Sequence, residues 1–220
     1  MSQRPPGRRL RGMGPLNLLR AALRRLVIAL TERRLAAFER AFAYDASYLR
    51  EVVHASPPAF VRFSLFTAFA ATREELPADA WFGAKLAATL HEDCGPCTQL
   101  VVRMAEQAGV DANVLRALLR RDAASLGDLP AALSFRFAEA VMARDTIAAD
   151  ALREVLRTLY GDRGVVALSF AIASSRVYPT VKYALGHGRA CERVVVKGEI
   201  APLAPRAPGA PQPTGAEVAA

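Results

Sequence analysis

Cys94-Gly95-Pro96-Cys97 sets two thiols at a spacing from which they can close a disulfide and reopen it. The chain holds three cysteines, and the third, Cys191, is remote in sequence. Where the compartment keeps idle thiols reduced, a vicinal pair of this kind points to redox or metal chemistry ahead of a structural staple. His91 stands three residues before Cys94 and so reaches the same side of a helical turn. As a base it can take a thiol proton near neutral pH, although a polar helix-end histidine is an equally good description of it. Glu92 and Asp93 repel a thiolate, yet either can shuttle a proton. His91, Cys94, Cys97 and Cys191 have the donor types of a zinc site, but such sites show a second close ligand pair that this chain lacks. No metal or other cofactor is therefore expected.

The elements that must position these residues read as helices. The C-G-P-C tetrapeptide is the one seen in thioredoxins, whose site follows a β-strand. Here residues 85–90 precede it, an alanine-rich run without β-branched alternation. Pro96 suits the first turn of a helix, so the cysteines straddle a helix start, where unpaired amides and the dipole lower a thiol pKa.

Elsewhere the 3.6-residue period prevails. Leu16, Leu19, Leu23, Leu26 and Leu30 define one face of a basic helix over about 15–33, with Arg20, Arg24 and Arg25 towards its flanks. Packing on its own domain or a sister subunit is the expected use of that stripe, and an anionic membrane surface the alternative. A second helix is expected from about 34 to 54, stopped by Ser56-Pro57-Pro58. Phe60, Phe63, Phe66 and Phe69 then recur at helical spacing and are expected as inner packing. Further helices are expected over 80–91, 97–107, from Asp111 to about 121, over 130–144, up to Tyr160-Gly161, over 165–174, and from Pro179 towards Cys191. Val194-Val195-Val196 alone hints at a strand. The expected class is all-α, a multi-helix bundle with the C-x-x-C at a helix start. It forms a single domain over 15–198 between a disordered basic arm (1–14) and a disordered Pro/Ala-rich tail (199–220).

The formal net charge of +8 lies wholly before Leu35, where nine arginines face Glu32, while the remaining 20 basic and 20 acidic side chains balance. Any anionic partner would therefore meet the N-terminal region. The arm lacks interleaved aromatics and any reading motif, which argues against nucleic acid. Uncharged runs such as 63–72 and 164–175 fall short of the about 18 residues that a membrane span needs. Residues 26–30 are too short for a signal sequence and lack a cleavage site, so a cytoplasmic protein is expected. His187 between glycines and His54 before the prolines read as helix-end residues, Trp81 as a packing anchor, and Cys191 as a small packed side chain.

One resemblance gathers these features. A helix, the C-x-x-C, a second helix, Phe135-Arg136-Phe137-Ala138-Glu139-Ala140 and then Arg176-Val177-Tyr178-Pro179-Thr180-Val181-Lys182 resemble the carboxymuconolactone decarboxylase and AhpD-like group over about 79–191. The resemblance implies a helical, homo-oligomeric fold in which members with the cysteine pair act as alkylhydroperoxidases or thiol-disulfide oxidoreductases. It implies a hydroperoxide or disulfide substrate and an external dithiol reductant, with Cys97 peroxidatic and Cys94 resolving. The group's relay histidine falls one helical turn after the second cysteine, where Val101 stands, and its relay glutamate some three turns before the first, where Phe82 stands. Neither side chain moves a proton, so His91, Glu92 or Gln99 has replaced the relay, or only disulfide exchange is retained. Without that relay, the helix start favours Cys94 as the more acidic thiol. The expected activity is a thiol-dependent peroxidase or oxidoreductase. The alternative is a redox-sensing interaction protein docked through its basic helix.

Overall fold

Residues 82–89 are buried on every side of their helix, the pattern of an element enclosed by others rather than laid on a surface. In the computed structural model, which describes residues 15–189 and 193–204, this helix is α4 (Ala78–His91), with α5 (Gly95–Gln107), α6 (Ala112–Leu119), α7 (Pro130–Ala143) and α8 (Thr146–Ala184) packed around it. Three helices precede it, α1 (Pro15–Phe42), α2 (Ser47–Ala55) and α3 (Pro57–Ala70). A two-stranded antiparallel hairpin of β1 (Val194–Val196) and β2 (Glu199–Ala201) follows. The described chain is thus mostly helical. The arm 1–14 and the tail from 205 lie outside the described residues.

Small side chains let α4 and α7 approach closely. A Cβ on Gly83 would stand 2.4 Å from the carbonyl oxygen of Ala131, so only glycine fits there. Leu86, Val102, Leu115, Leu118, Phe135, Leu156 and Leu168 fill the main core. Aspartates cap as their positions require: Asp111 accepts from the amides of Asn113 and Val114, and Asp145 from that of Ala148.

Several boundaries differ from the sequence reading. α1 does not end near residue 33; good helix formers carry it to Phe42, and the break comes at Ala43, with positive φ, and the Asp45 turn. Leu16, Leu19, Leu23, Leu26 and Leu30 are each more than half exposed; the face that packs on the domain carries Thr31, Leu35, Phe38 and Phe42 instead. The phenylalanine stripe is half-buried, with Phe63, Phe66 and Phe69 stacked along α3 and against Tyr178 and Phe170 of α8 rather than placed in the inner core. Gly161 does break the helical path, but Pro179 starts no new helix; α8 runs through it to Ala184. Nor does order stop at residue 198. β2 pairs with β1, and the Ala204 amide donates to the Leu119 carbonyl, because an isolated Val-Val-Val strand leaves backbone groups that need partners.

Candidate functional site

The chain turns sharply between α4 and α5. Asp93 takes a left-handed φ of 49°, Cys94 is the extended N-cap of α5, and Gly95-Pro96 form its first turn, where proline costs no hydrogen bond. Cys97 therefore sits one turn away from Cys94 on the same helix start. Their sulfurs lie within disulfide-bonding distance, with Cα atoms 5.3 Å apart. Thr98 fixes this turn from below, donating its amide (2.8 Å) and its hydroxyl (3.0 Å) to the Cys94 carbonyl. The Cys94 amide donates to the Thr89 carbonyl. Cys94 is wholly buried, and Cys97 keeps 5 % of its surface.

The far end of α8 closes over the motif. The Arg176 guanidinium pairs with Glu92, the Tyr183 hydroxyl donates to the Asp93 carbonyl, and the Gly95 amide donates to the Arg189 carbonyl. This end is itself tied to α2, since His187 bonds Ser47 through Nδ1 (3.1 Å) and Glu51 through Nε2 (2.8 Å). Arg103, farther along α5, donates to the carbonyls of Phe42 and Ala43 and caps the C-terminus of α1. The cysteine turn is thus held by α1, α2 and α8 as well as by its own helix.

The other candidates take distinct places. His91 is exposed at the last turn of α4, and among the described residues no hydrogen bond joins it to a cysteine. Glu92 is half-buried in its pair with Arg176. Gln99 is fully occupied, its amide nitrogen donating to the Val195 carbonyl (2.9 Å) and its oxygen accepting from the Val195 amide (2.7 Å), so it acts as a clamp on β1. Val101 and Phe82 are buried in the main core. Among the described residues no three metal-ligating side chains gather, and Cys191 lies outside them. His54 bonds Glu32, and Trp81 donates to the Thr72 carbonyl. A cleft of about 410 Å³ opens beside the Gly161 break, lined by Glu74, Leu76, Tyr160 and Arg163 among others, and contains none of the candidates.

Two buried lysines escaped the sequence reading. Lys85 of α4 donates to the carbonyl of Ala70, the last residue of α3, and lies 4.1 Å over the Trp81 ring. Burial pushes its ammonium down to about 8, while the carbonyl and the indole face favour the charge. Lys182 of α8, 2 % exposed, donates to the Tyr44 hydroxyl at 3.2 Å and lies over the rings of Tyr44 and Tyr48. Burial lowers it, with Asp45 opposing, and burial pushes the Tyr44 hydroxyl up to about 12. The signal was present: Lys182 continues the stripe of Leu168, Ile172, Ser175 and Pro179 that α8 buries.

α8 is the one described helix long and apolar enough to cross a membrane, and half of its most apolar window is buried within the chain. No protein-family model, no curated protein and no solved structure matches the chain.

Proposed function

We propose that the chain is a thiol-disulfide oxidoreductase in which Cys94 and Cys97 alternate between dithiol and disulfide, with an organic hydroperoxide as the oxidant. The observation that carries this reading is the pair itself: two sulfurs at bonding distance across the first turn of α5, in a turn fixed by Thr98 and the end of α8. The helix start favours a thiolate over a thiol, and the Glu92 charge that would oppose it is taken up by Arg176. The resemblance to the AhpD-like group supports the same chemistry and an AhpD-like bundle.

Cys97, which keeps the pair's residual exposure, attacks the outer peroxide oxygen. An S–O bond forms, the O–O bond breaks, and the alkoxide leaves as the alcohol after taking a proton, giving a sulfenic acid. The Cys94 thiol then attacks that sulfur, forming the disulfide and releasing water. An external dithiol returns two electrons by exchange and leaves as its own disulfide. Phe82 and Val101 move no proton and Gln99 is held by Val195, so this reading assigns proton transfer to His91 or Glu92, neither of which, among the described residues, is hydrogen-bonded to a cysteine in the closed disulfide.

Stopped-flow consumption of cumene hydroperoxide by the reduced protein tests it, with Cys94→Ser and Cys97→Ser run in parallel. Two thiols should be lost per peroxide, with Cys97→Ser inert and Cys94→Ser halting at a trappable sulfenic acid. His91→Ala and Glu92→Gln should slow the first step. A rate no faster than that of a free thiol sinks the peroxidase; reduction by a dithiol at an ordinary exchange rate would then leave disulfide exchange alone.

A further inference from the structure

We propose that α1 lies on an anionic bilayer surface, seating its leucine face among the acyl chains and its arginines among the headgroups. Leu16, Leu19, Leu23, Leu26 and Leu30 are 51–66 % exposed, and their alternating steps of three and four keep them on one side of the helix. They are a row rather than scattered apolar residues, and a continuous apolar row on a surface marks an interaction site. The opposite side of the same helix is already committed to the domain through Thr31, Leu35 and Phe38 and through the Glu32 and Glu39 contacts with Arg50. The leucine face is consequently presented outward with its orientation fixed.

Charge decides between occupants. Arg20, Arg33 and Arg34 are exposed beside the leucine row, Arg25 is exposed farther round the helix, and Arg24 reaches the His54 carbonyl at the end of α2. The sequence before α1 adds Arg4, Arg8, Arg9 and Arg11. The one acidic residue before Leu35 is Glu32, which is held by Arg50 and His54. A second copy docked face to face would set arginine against arginine, and the α1 carboxylates, Glu32 and Glu39, are both taken by Arg50. An anionic headgroup layer answers every one of them, and basic side chains flanking an apolar stripe are the composition of an interfacial helix. Because the cysteines belong to α5 and the leucines to α1, this surface is independent of the redox chemistry proposed above.

The test is flotation of the full-length protein with vesicles of phosphatidylcholine alone and of phosphatidylcholine with about one-third phosphatidylserine. Binding should be confined to the anionic vesicles and weaken as salt is raised. Leu19→Asp/Leu23→Asp/Leu26→Asp should abolish it, and each of Arg20→Gln, Arg33→Gln and Arg34→Gln should weaken partition roughly fivefold. These residues are exposed, and unchanged thermal melts of the variants would show that the domain is intact. Failure of the wild type to float with anionic vesicles overturns the proposal. So does flotation of the leucine variant equal to wild type, which would leave the arm as the sole attachment. A wild-type dimer in sedimentation equilibrium that the leucine variant dissolves, with no vesicle binding, would assign the face to a second copy instead.

Discussion

The backbone amide of Gly95, inside the cysteine motif, donates to the carbonyl of Arg189 across 3.1 Å, so the segment after α8 is part of the cysteine turn. Gly188 makes this contact possible, since a Cβ there would stand 2.1 Å from the ring of Tyr183, whose hydroxyl holds the Asp93 carbonyl. Gly188→Ala should displace Tyr183 and loosen the turn that holds the sulfurs together. The disulfide would then be less favoured, and the reduction potential should rise by about 30 mV, with Tyr183→Phe giving part of the rise. Equilibration against glutathione measures it. A potential unmoved in both variants would remove α8 from the site.

Gln99 distinguishes a clamp from a relay. Its amide makes both hydrogen bonds to Val195, as a neighbouring strand would. Gln99→Glu replaces a donor with a second acceptor facing a carbonyl, and should cost about 1–3 kcal/mol in urea denaturation while the reaction of the thiols with peroxide is unchanged. A relay residue would show the reverse, a slower reaction in a protein of undiminished stability.

Much of this architecture was legible in the residues. The double proline at 57–58, the aspartate caps at 111 and 145, and the break at Gly161 acted as their local chemistry requires. The cysteine turn at the start of α5 fell where Pro96 placed it. What misled was tertiary context. The period of the α1 leucines gives a face but not its direction, and Leu35 and Phe38, on another face, do the packing. Pro179 looked like a helix start because proline favours first turns, yet burial in α8 holds it within a helix. The contacts of Tyr183, Arg189 and Gln99 join residues about ninety apart, and no local pattern encodes such pairings.

Gly83 should be among the least replaceable residues. Its missing Cβ would meet backbone, the Ala131 oxygen at 2.4 Å, and backbone of two packed helices cannot yield as a side-chain tip does. Gly83→Ala should destabilise by about 3 kcal/mol, read as a fall in the denaturation midpoint. A midpoint within experimental error of wild type would refute the tight α4–α7 contact.

Lys85 should give the protein an alkaline stability rise. Its folded pKa is depressed by burial from 10.5 to about 8, so between those values the unfolded chain binds the proton and the folded chain does not. Stability contributed by this group therefore increases as pH climbs through that window, by at most about 3 kcal/mol. Below pH 8 the charged amine is carried by both states and its desolvation is a constant cost. Comparing urea denaturation of wild type and Lys85→Met from pH 7.5 to 9.5 isolates the effect, because other titrations are common to both. Parallel curves would mean that the Ala70 carbonyl and Trp81 compensate the burial fully.

Arg50 joins α2 to α1 through two carboxylates, Glu32 at 2.8 Å and Glu39 at 2.5 Å, and its hydrogen bonds hold both below the usual glutamate range. A carboxylate whose folded pKa is depressed contributes stability that is present in full above its unfolded value and is lost as pH falls through the folded one. The contribution should therefore persist at neutral pH and fade as acid protonates the two carboxylates. All three side chains are about one-quarter to one-third exposed, so solvent screening limits the effect to about 1 kcal/mol. Arg50→Met should remove it at pH 7 and cost progressively less stability as the pH is lowered through the carboxylate range. Because this network fixes which way α1 presents its leucines, the same variant should show faster amide exchange in residues 28–42 of α1 than in α4. Equal protection in wild type and variant would separate α1 from the Arg50 network and return its anchoring to Leu35 and Phe38 alone.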